Sequence, residues 1–95
     1  MAQPVVESAS YKNISASTAI RTGAGQLLGI FVASASATPT IKVWDNTSAA
    51  TTILVNTFTP TAATYYPIPG TFGTGLFVTI SGTVDCTVFW NPNGA

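Results

Sequence analysis

Short apolar runs separated by turn-forming residues are the feature that most constrains the fold of this chain. They recur roughly every 8 to 12 residues, which is the spacing of an all-β sandwich or barrel. No window keeps apolar residues at helical spacing over more than two turns, and Ser, Thr, Gly and β-branched residues, which favour strands and turns, dominate the sequence. The pattern predicts an all-β fold, a single β-sandwich of about eight antiparallel strands with jelly-roll-like or Ig-like topology.

The predicted strands are bounded by Gly, Pro, Asp, Asn and Ser, the residues that turns prefer. The run Ser81-Gly82-Thr83 is short enough for a tight hairpin between the last two strands. Residues 34–37 are expected to form a loop. The predicted strands cover residues 10–14, 18–22, 26–33, 40–45, 52–58, 63–68, 76–81 and 84–90.

Residues 1–9 are predicted to form an extended N-terminal arm ahead of the β-sandwich domain at residues 10–95. Pro4 excludes a central strand there, because proline has no N–H for the ladder. Val5 and Val6 can pair at a sheet edge or on a neighbouring molecule. We therefore include both valines among the candidate interface residues.

Ionised side chains are scarce in this chain. Charged residues make up 6% of it, with three basic and three acidic residues, whereas an ordinary domain carries about 25%. Such a neutral surface has little self-repulsion and favours association. It also lacks the basic patch that phosphate backbones require, so no nucleic-acid partner is expected. The longest apolar run, residues 27–33, is far shorter than the roughly 20 residues of a membrane-spanning helix, so no membrane partner is expected either.

The chain offers few groups for catalysis. It has no histidine, and its only carboxylates belong to Glu7, Asp45 and Asp85. Ser-His-Asp and Cys-His arrangements are therefore excluded, as are zinc sites built on His or paired Cys. We expect no enzyme, no catalytic residue, no metal and no cofactor. Asp45 is predicted to cap its own turn through backbone N–H groups, and Asp85 to pair across strands with Lys42 or Arg21.

Cys86 is the only cysteine, so no internal disulfide can form. This predicts synthesis in a reducing cytoplasm, and the N-terminus shows no signal-peptide pattern of a basic segment followed by an apolar one. Cys86 alternates with core-facing residues, which predicts a small buried hydrophobe and not a reactive thiol.

The alternation of side chains along each strand predicts which residues form the core. The opposite faces carry Phe31, Trp44, Phe77 and Phe89, which a lone sandwich would leave to water. Either a bulge or covering loops place these aromatics elsewhere, or they form a contact surface, where aromatic residues are enriched. The predicted inward residues are Leu28, Ile30, Val32, Ile41, Val43, Leu76, Val78, Ile80, Val84, Cys86, Val88 and Trp90.

A carbohydrate-binding β-sandwich is the alternative interpretation. Trp44, Tyr65, Tyr66 and Phe72 are candidates to stack on sugar rings, with Asn46 and the threonines as partners for the hydroxyls. The same run, YYPIPG, is equally compatible with a strand end packed on its own sheet.

Three runs share a pattern with a known group of proteins: ISASTAIRTGAGQLLGIFV, IKVWDNTSAATTIL and GTGLFVTISGTVDCTVFW. The pattern is a Thr/Ser strand, a Gly-Ala-Gly turn at 23–25, a long apolar strand at 26–32, an Asp-Asn-Thr strand end at 45–47 and a closing hairpin at 75–88. It resembles a set of small all-β virion proteins from the structural gene clusters of tailed phages, several of which look like capsid decoration or cement proteins.

This resemblance covers most of residues 14–90. It implies β-sandwich subunits that bind the outside of the major capsid protein shell, often as homotrimers. The expected location is then the virion surface, after synthesis in the host cytoplasm. A tail or baseplate structural module requires the same kind of surface and stays an alternative.

Overall fold

The computed structural model describes residues 9–92 of the chain, and this range contains strands and turns but no helix. The all-β prediction is confirmed. The predicted arm, with Val5 and Val6, lies outside the described residues except for Ala9. The strands form one antiparallel sheet and are β1 (Ser10–Ile14), β2 (Thr18–Thr22), β3 (Gly25–Trp44), β4 (Ile53–Phe58), β5 (Thr64–Phe72) and β6 (Gly75–Asn91).

The sheet is built around β3 and β6, which have 20 and 17 residues and pair from Gln26↔Asn91 to Trp44↔Phe77. β1 lies beside the C-terminal part of β6 and β2 beside its N-terminal part. In the same way β5 lies beside the N-terminal part of β3 and β4 beside its C-terminal part. The sheet thus has a first half (β1, β6, β3, β5) and a second half (β2, β6, β3, β4).

A corner in β3 and β6 joins the two halves. Ala37 and Thr38 have φ angles of 58° and 52°, and Gly82 in β6 has a φ of 78°. A Cβ on Gly82 would lie 2.6 Å from the carbonyl oxygen of Ala37, so the strands approach each other here as only glycine permits. Both strands stay paired across the corner, with Ser36↔Thr83 before it and Thr40↔Ser81 after it.

The corner explains why the structure has six strands where the sequence predicts eight. The predicted loop at residues 34–37 and the predicted hairpin at residues 81–83 are both wrong. Gly82 does supply a positive φ, but the chain bends there and continues along β3, and it does not reverse. The predicted third and fourth strands are therefore one strand, as are the seventh and eighth.

Beyond the corner the sheet folds back on itself. Asp45, just after the end of β3, accepts hydrogen bonds from the backbone N–H groups of Gly73 and Thr74, in the loop between β5 and β6, and of Gly75 at the start of β6. The loop between β2 and β3 joins them, since the N–H of Gly23 donates to the carbonyl of Thr74 at 2.9 Å. The outer ends of both halves therefore meet at one place.

The core lies on the inner faces of the two halves. Alternation predicts it well in β6, although Ile80 and Trp90 are only partly buried against it. The buried residues are Ile14, Leu27, Ile30, Val32, Ile41, Val43, Phe72, Leu76, Val78, Val84, Cys86 and Val88.

At the start of β3 the predicted face assignment is wrong. The pairing of β3 with both β5 and β6 shifts between Leu27 and Gly29, which is a β-bulge. A bulge changes the side-chain alternation, so Leu27 is fully buried while Leu28, predicted to be in the core, faces outward.

Candidate functional site

Four apolar residues form a row across the outer face of the second half. Trp44 lies opposite Phe77 of β6 and Ile53 of β4, and Phe77 lies opposite Ala19 of β2. They face away from the core, because the residues that flank Trp44 and Phe77 on the inner face are buried. Ile53 is 44% exposed, and the two aromatic rings are half-buried. This set of Ala19, Phe77, Trp44 and Ile53 is termed the Trp44 row.

The indole of Trp44 is fixed by two polar neighbours. Its Nε1–H donates to the hydroxyl of Thr79 at 2.9 Å, and the Nζ of Lys42 lies 4.3 Å from the ring centroid. A cation–π contact at an exposed site contributes about 0.5–1 kcal/mol. Because the indole already has one orientation, little side-chain entropy remains to be lost when a partner covers it.

A shallow cleft of about 410 Å³ lies on the outer face of the first half. None of its lining side chains is charged, and Tyr65 is 46% exposed while Phe31 is 38% exposed. The lining residues, together termed the Tyr65 cleft, are Ala9, Leu28, Phe31, Tyr65 and Phe89.

Gly29 lies beneath the ring of Tyr65. It lies opposite Phe89 of β6 and Pro67 of β5, and the Tyr65 ring extends over it. Tyr65 thereby meets Phe89 edge to face, with centroids 6.3 Å apart and planes at 68°. Such a pair is worth about 0.5–1.5 kcal/mol beyond its buried area. The missing side chain of Gly29 is thus what allows an aromatic ring of β5 to contact one of β6 across β3.

The four aromatic residues predicted to face outward do so, but they lie on two surfaces. Phe31 and Phe89 line the Tyr65 cleft, whereas Trp44 and Phe77 belong to the Trp44 row. The corner in β3 and β6 separates the two pairs. A single continuous aromatic surface is therefore not present.

Sequence reasoning missed Leu28 as an outward residue of the cleft and Ile53 as the end of the row. The signal for Leu28 was the isolated Gly29 within an apolar strand, because such a glycine often marks a bulge or a close approach of another group. Ile53 offered no signal, because Ile53, Leu54 and Val55 are all apolar and no alternation distinguishes their two faces.

The candidate sugar-stacking residues do not share a surface. Tyr66 packs against Phe58 with centroids 5.2 Å apart, and its hydroxyl accepts the N–H of Thr61 at 2.8 Å. Phe72 is fully buried in the core. Tyr65, which is 46% exposed, is the most exposed of the candidates.

The prediction that Asp45 caps its own turn is wrong, because its carboxylate accepts hydrogen bonds from backbone N–H groups 28 to 30 residues further along the chain. Burial raises the pKa of the Asp45 carboxyl, but the hydrogen bonds from the backbone of Thr74, Gly73 and Gly75 together lower it by more. The pKa therefore lies below its ordinary value. The side chain of Asn46 serves the local turn instead, accepting the N–H of Thr47 at 2.7 Å.

The predicted cross-strand pair of Asp85 with Lys42 or Arg21 is wrong. Asp85 lies opposite Ser34 in the first half and accepts a hydrogen bond from the Asn13 amide at 2.8 Å. Both basic residues belong to the second half, on the far side of the corner. The bend in β6, which alternation alone does not reveal, separates them from Asp85.

Cys86 is fully buried, as its alternation predicts. Burial, and to a smaller extent the nearby Asp85 carboxylate, raise the pKa of its thiol to about 11. Within residues 9–92 there is no cluster of three or more His, Cys, Asp or Glu side chains placed to bind a metal ion. The same part of the chain contains no helix with the length and apolar character that crossing a bilayer demands.

Comparisons with known proteins give no relative for this chain. No protein-family model, no curated protein and no solved structure matches it.

Proposed function

We propose that the protein is a non-enzymatic structural protein of a virion, of the capsid decoration or cement type. It binds the outside of the major capsid protein shell and stabilises that shell. The observation that carries the proposal is the Trp44 row, an apolar row that spans all four strands of the second half and faces away from the core. Aromatic residues at the centre of such a surface are the usual anchors of protein interfaces.

The surroundings of the Trp44 row suit contact with another protein. Lys42 and Thr79 provide a polar rim beside an indole that they hold in place. With 6% charged residues, the chain needs to desolvate few ions when it associates. Repetition over a capsid lattice multiplies contacts of modest strength through avidity.

The finer architecture belongs to the same proposal. Both halves contribute to one core, and Asp45 joins their outer ends, so the folded sheet serves as the two layers of a β-sandwich. The resemblance to tailed-phage proteins favours a homo-oligomer, with a trimer as the expected form. A tail or baseplate position would use the same surfaces.

Cosedimentation of the purified protein with capsids that lack it tests the proposal. We expect the Trp44→Gln/Phe77→Thr variant to bind at least ~30-fold more weakly, because the loss of even one hot-spot side chain costs about 2 kcal/mol or more. Tyr11→Thr is the matched control, since this 71% exposed aromatic residue lies in the first half. If the double variant bound as tightly as the wild type, or if Tyr11→Thr weakened binding equally, the Trp44 row would not be the surface that contacts the capsid.

Carbohydrate binding is the second candidate function, and the exposed ring of Tyr65 favours it. This ring lies beside Phe89 on an open, uncharged surface, which is a suitable stacking platform. A glycan array would show reproducible binding that is lost with Tyr65→Ala. Tyr66→Phe serves as the control, because the Tyr66 ring packs against Phe58 and not in the cleft.

A further inference from the structure

We propose that the Tyr65 cleft is the binding site for Pro4, Val5 and Val6 of the same chain. The first observation is that Ala9, which directly precedes β1, is itself one of the lining residues. Residues 1–8 lie outside the described residues, and the chain that leads to them starts at the cleft.

The connecting chain is long enough for this contact. An extended chain advances about 3.3–3.6 Å per residue, so the three residues from Ala9 to Val6 span ~10 Å. The Tyr65 ring extends from β5 over β3 to within 6.3 Å of Phe89 on β6, the strand next to β1. Val5 and Val6 can therefore reach both rings.

The chemistry of the segment matches that of the cleft. The hydroxyl of Tyr65 is the only polar side-chain group among the five lining residues. Pro4, Val5 and Val6 are equally apolar, and covering them with the cleft removes apolar surface of both from water.

The size of the cleft favours the chain's own segment over a second molecule. Five described residues line the cleft, whereas a specific interface between subunits involves roughly 20–30 residues on each partner. A tethered segment also acts at an effective concentration in the mM range, which a separate molecule does not reach in dilute solution.

This contact would cover the aromatic surface of the first half in the free subunit. The Trp44 row is then the aromatic surface left open for a partner. The inference concerns the isolated protein and does not depend on its proposed capsid role.

Nuclear Overhauser effects in the full-length, isotope-labelled protein test the contact. We expect cross-peaks from the methyl groups of Val5 and Val6 to the rings of Phe31, Tyr65 and Phe89. An isotope-filtered experiment on a mixture of labelled and unlabelled protein distinguishes contacts within one molecule from contacts between molecules. Cross-peaks within one molecule support the proposal, whereas cross-peaks between molecules, or none at all, overturn it.

A pair of variants provides a second readout. Val5→Ser/Val6→Ser should remove the cross-peaks and increase the fluorescence of the dye 1-anilinonaphthalene-8-sulfonate, which binds uncovered apolar surface. Ala2→Ser/Gln3→Ser changes the same segment outside the three contact residues and should leave both signals unchanged. Neither variant alters a residue of the six strands. Equal dye fluorescence from both variants would contradict the proposal. No capsid is present, so this result leaves the test of the Trp44 row unaffected.

Discussion

Gly29 shows how one residue sets the form of a surface by having no side chain. A Cβ at this position would collide with the Tyr65 ring and would lie 2.8 Å from the carbonyl oxygen of Tyr66. The ring could rotate away, but the carbonyl belongs to a paired strand and could not move without disturbing β5. The Tyr65 cleft therefore depends on glycine at position 29.

The first prediction is that Gly29→Ala lowers the free energy of unfolding by about 1–3 kcal/mol, the usual cost of overpacking. It should also separate Tyr65 from Phe89. Gly73→Ala is the control, because a Cβ there would meet no atom within 4 Å, and its effect should stay within about 0.5 kcal/mol. Urea denaturation measures the stability of both variants. A Gly29→Ala protein as stable as Gly73→Ala would contradict this account of the cleft.

The second prediction concerns Asp45 and the pH dependence of folding stability. The folded-state pKa of its carboxyl lies below the ordinary value of 3.8, so the stabilisation it provides is complete above that pH. This stabilisation is lost as the pH falls through the folded-state pKa. Asp45→Asn should destabilise the protein by about 1 kcal/mol at pH 7 and flatten the pH dependence of stability below 3.8.

Denaturation curves at a series of pH values check this prediction. Thr74→Ala is the control, because it keeps the backbone N–H that donates to Asp45. If the stability of Asp45→Asn depended on pH as that of the wild type does, the carboxylate would not link the end of β3 to the loop between β5 and β6.

At the scale of the elements, the corner in β3 and β6 is what sequence patterns could not predict. The run Ser81-Gly82-Thr83 fits a hairpin and a bend equally well, since both use a glycine with positive φ. The difference is made by β3, which runs alongside β6 on both sides of the corner. Long-range pairing of this kind leaves no signal in the local sequence.

Other properties of the strands were predictable because they are local. The alternation of Leu76 with Val78, and of Val84 with Cys86 and Val88, identified the buried face of β6. Alternation failed for Leu28, because the bulge beside Gly29 shifts the side-chain phase.

The third prediction tests the close approach at the corner. Gly82→Ala should cost about 1–3 kcal/mol, because its Cβ would lie 2.6 Å and 2.8 Å from the carbonyl oxygens of Ala37 and Thr38 at a positive φ. Ala37→Gly, on the opposite strand at φ 58°, should change stability by less than about 1 kcal/mol. Thermal unfolding compares the two variants. A Gly82→Ala protein as stable as the wild type would mean that β3 and β6 do not approach each other so closely.

At the scale of the whole molecule, folding back gives the protein two outer faces with different surfaces. One carries the Trp44 row and the other the Tyr65 cleft. The sequence predicted which aromatic residues face outward, since that follows from alternation within each strand. It could not predict their division into two surfaces, because the division arises from the corner that joins the two halves.

The fourth prediction is that the purified chain associates. Sedimentation equilibrium should give a mass that is a multiple of the 9.8 kDa monomer, with a trimer expected. Raising the salt concentration to 1 M should not dissociate it, because apolar contacts are not screened as ion pairs are. A monomer at high protein concentration, or dissociation by salt, would contradict association through uncharged surfaces.

The most direct test of the central claim is an electron cryomicroscopy map of the virion that contains this protein. We predict density for the folded sheet outside the major capsid shell, with Trp44 and Phe77 covered by a neighbouring protein. A map in which this chain is absent from the particle, or in which the Trp44 row faces solvent, would contradict the claim.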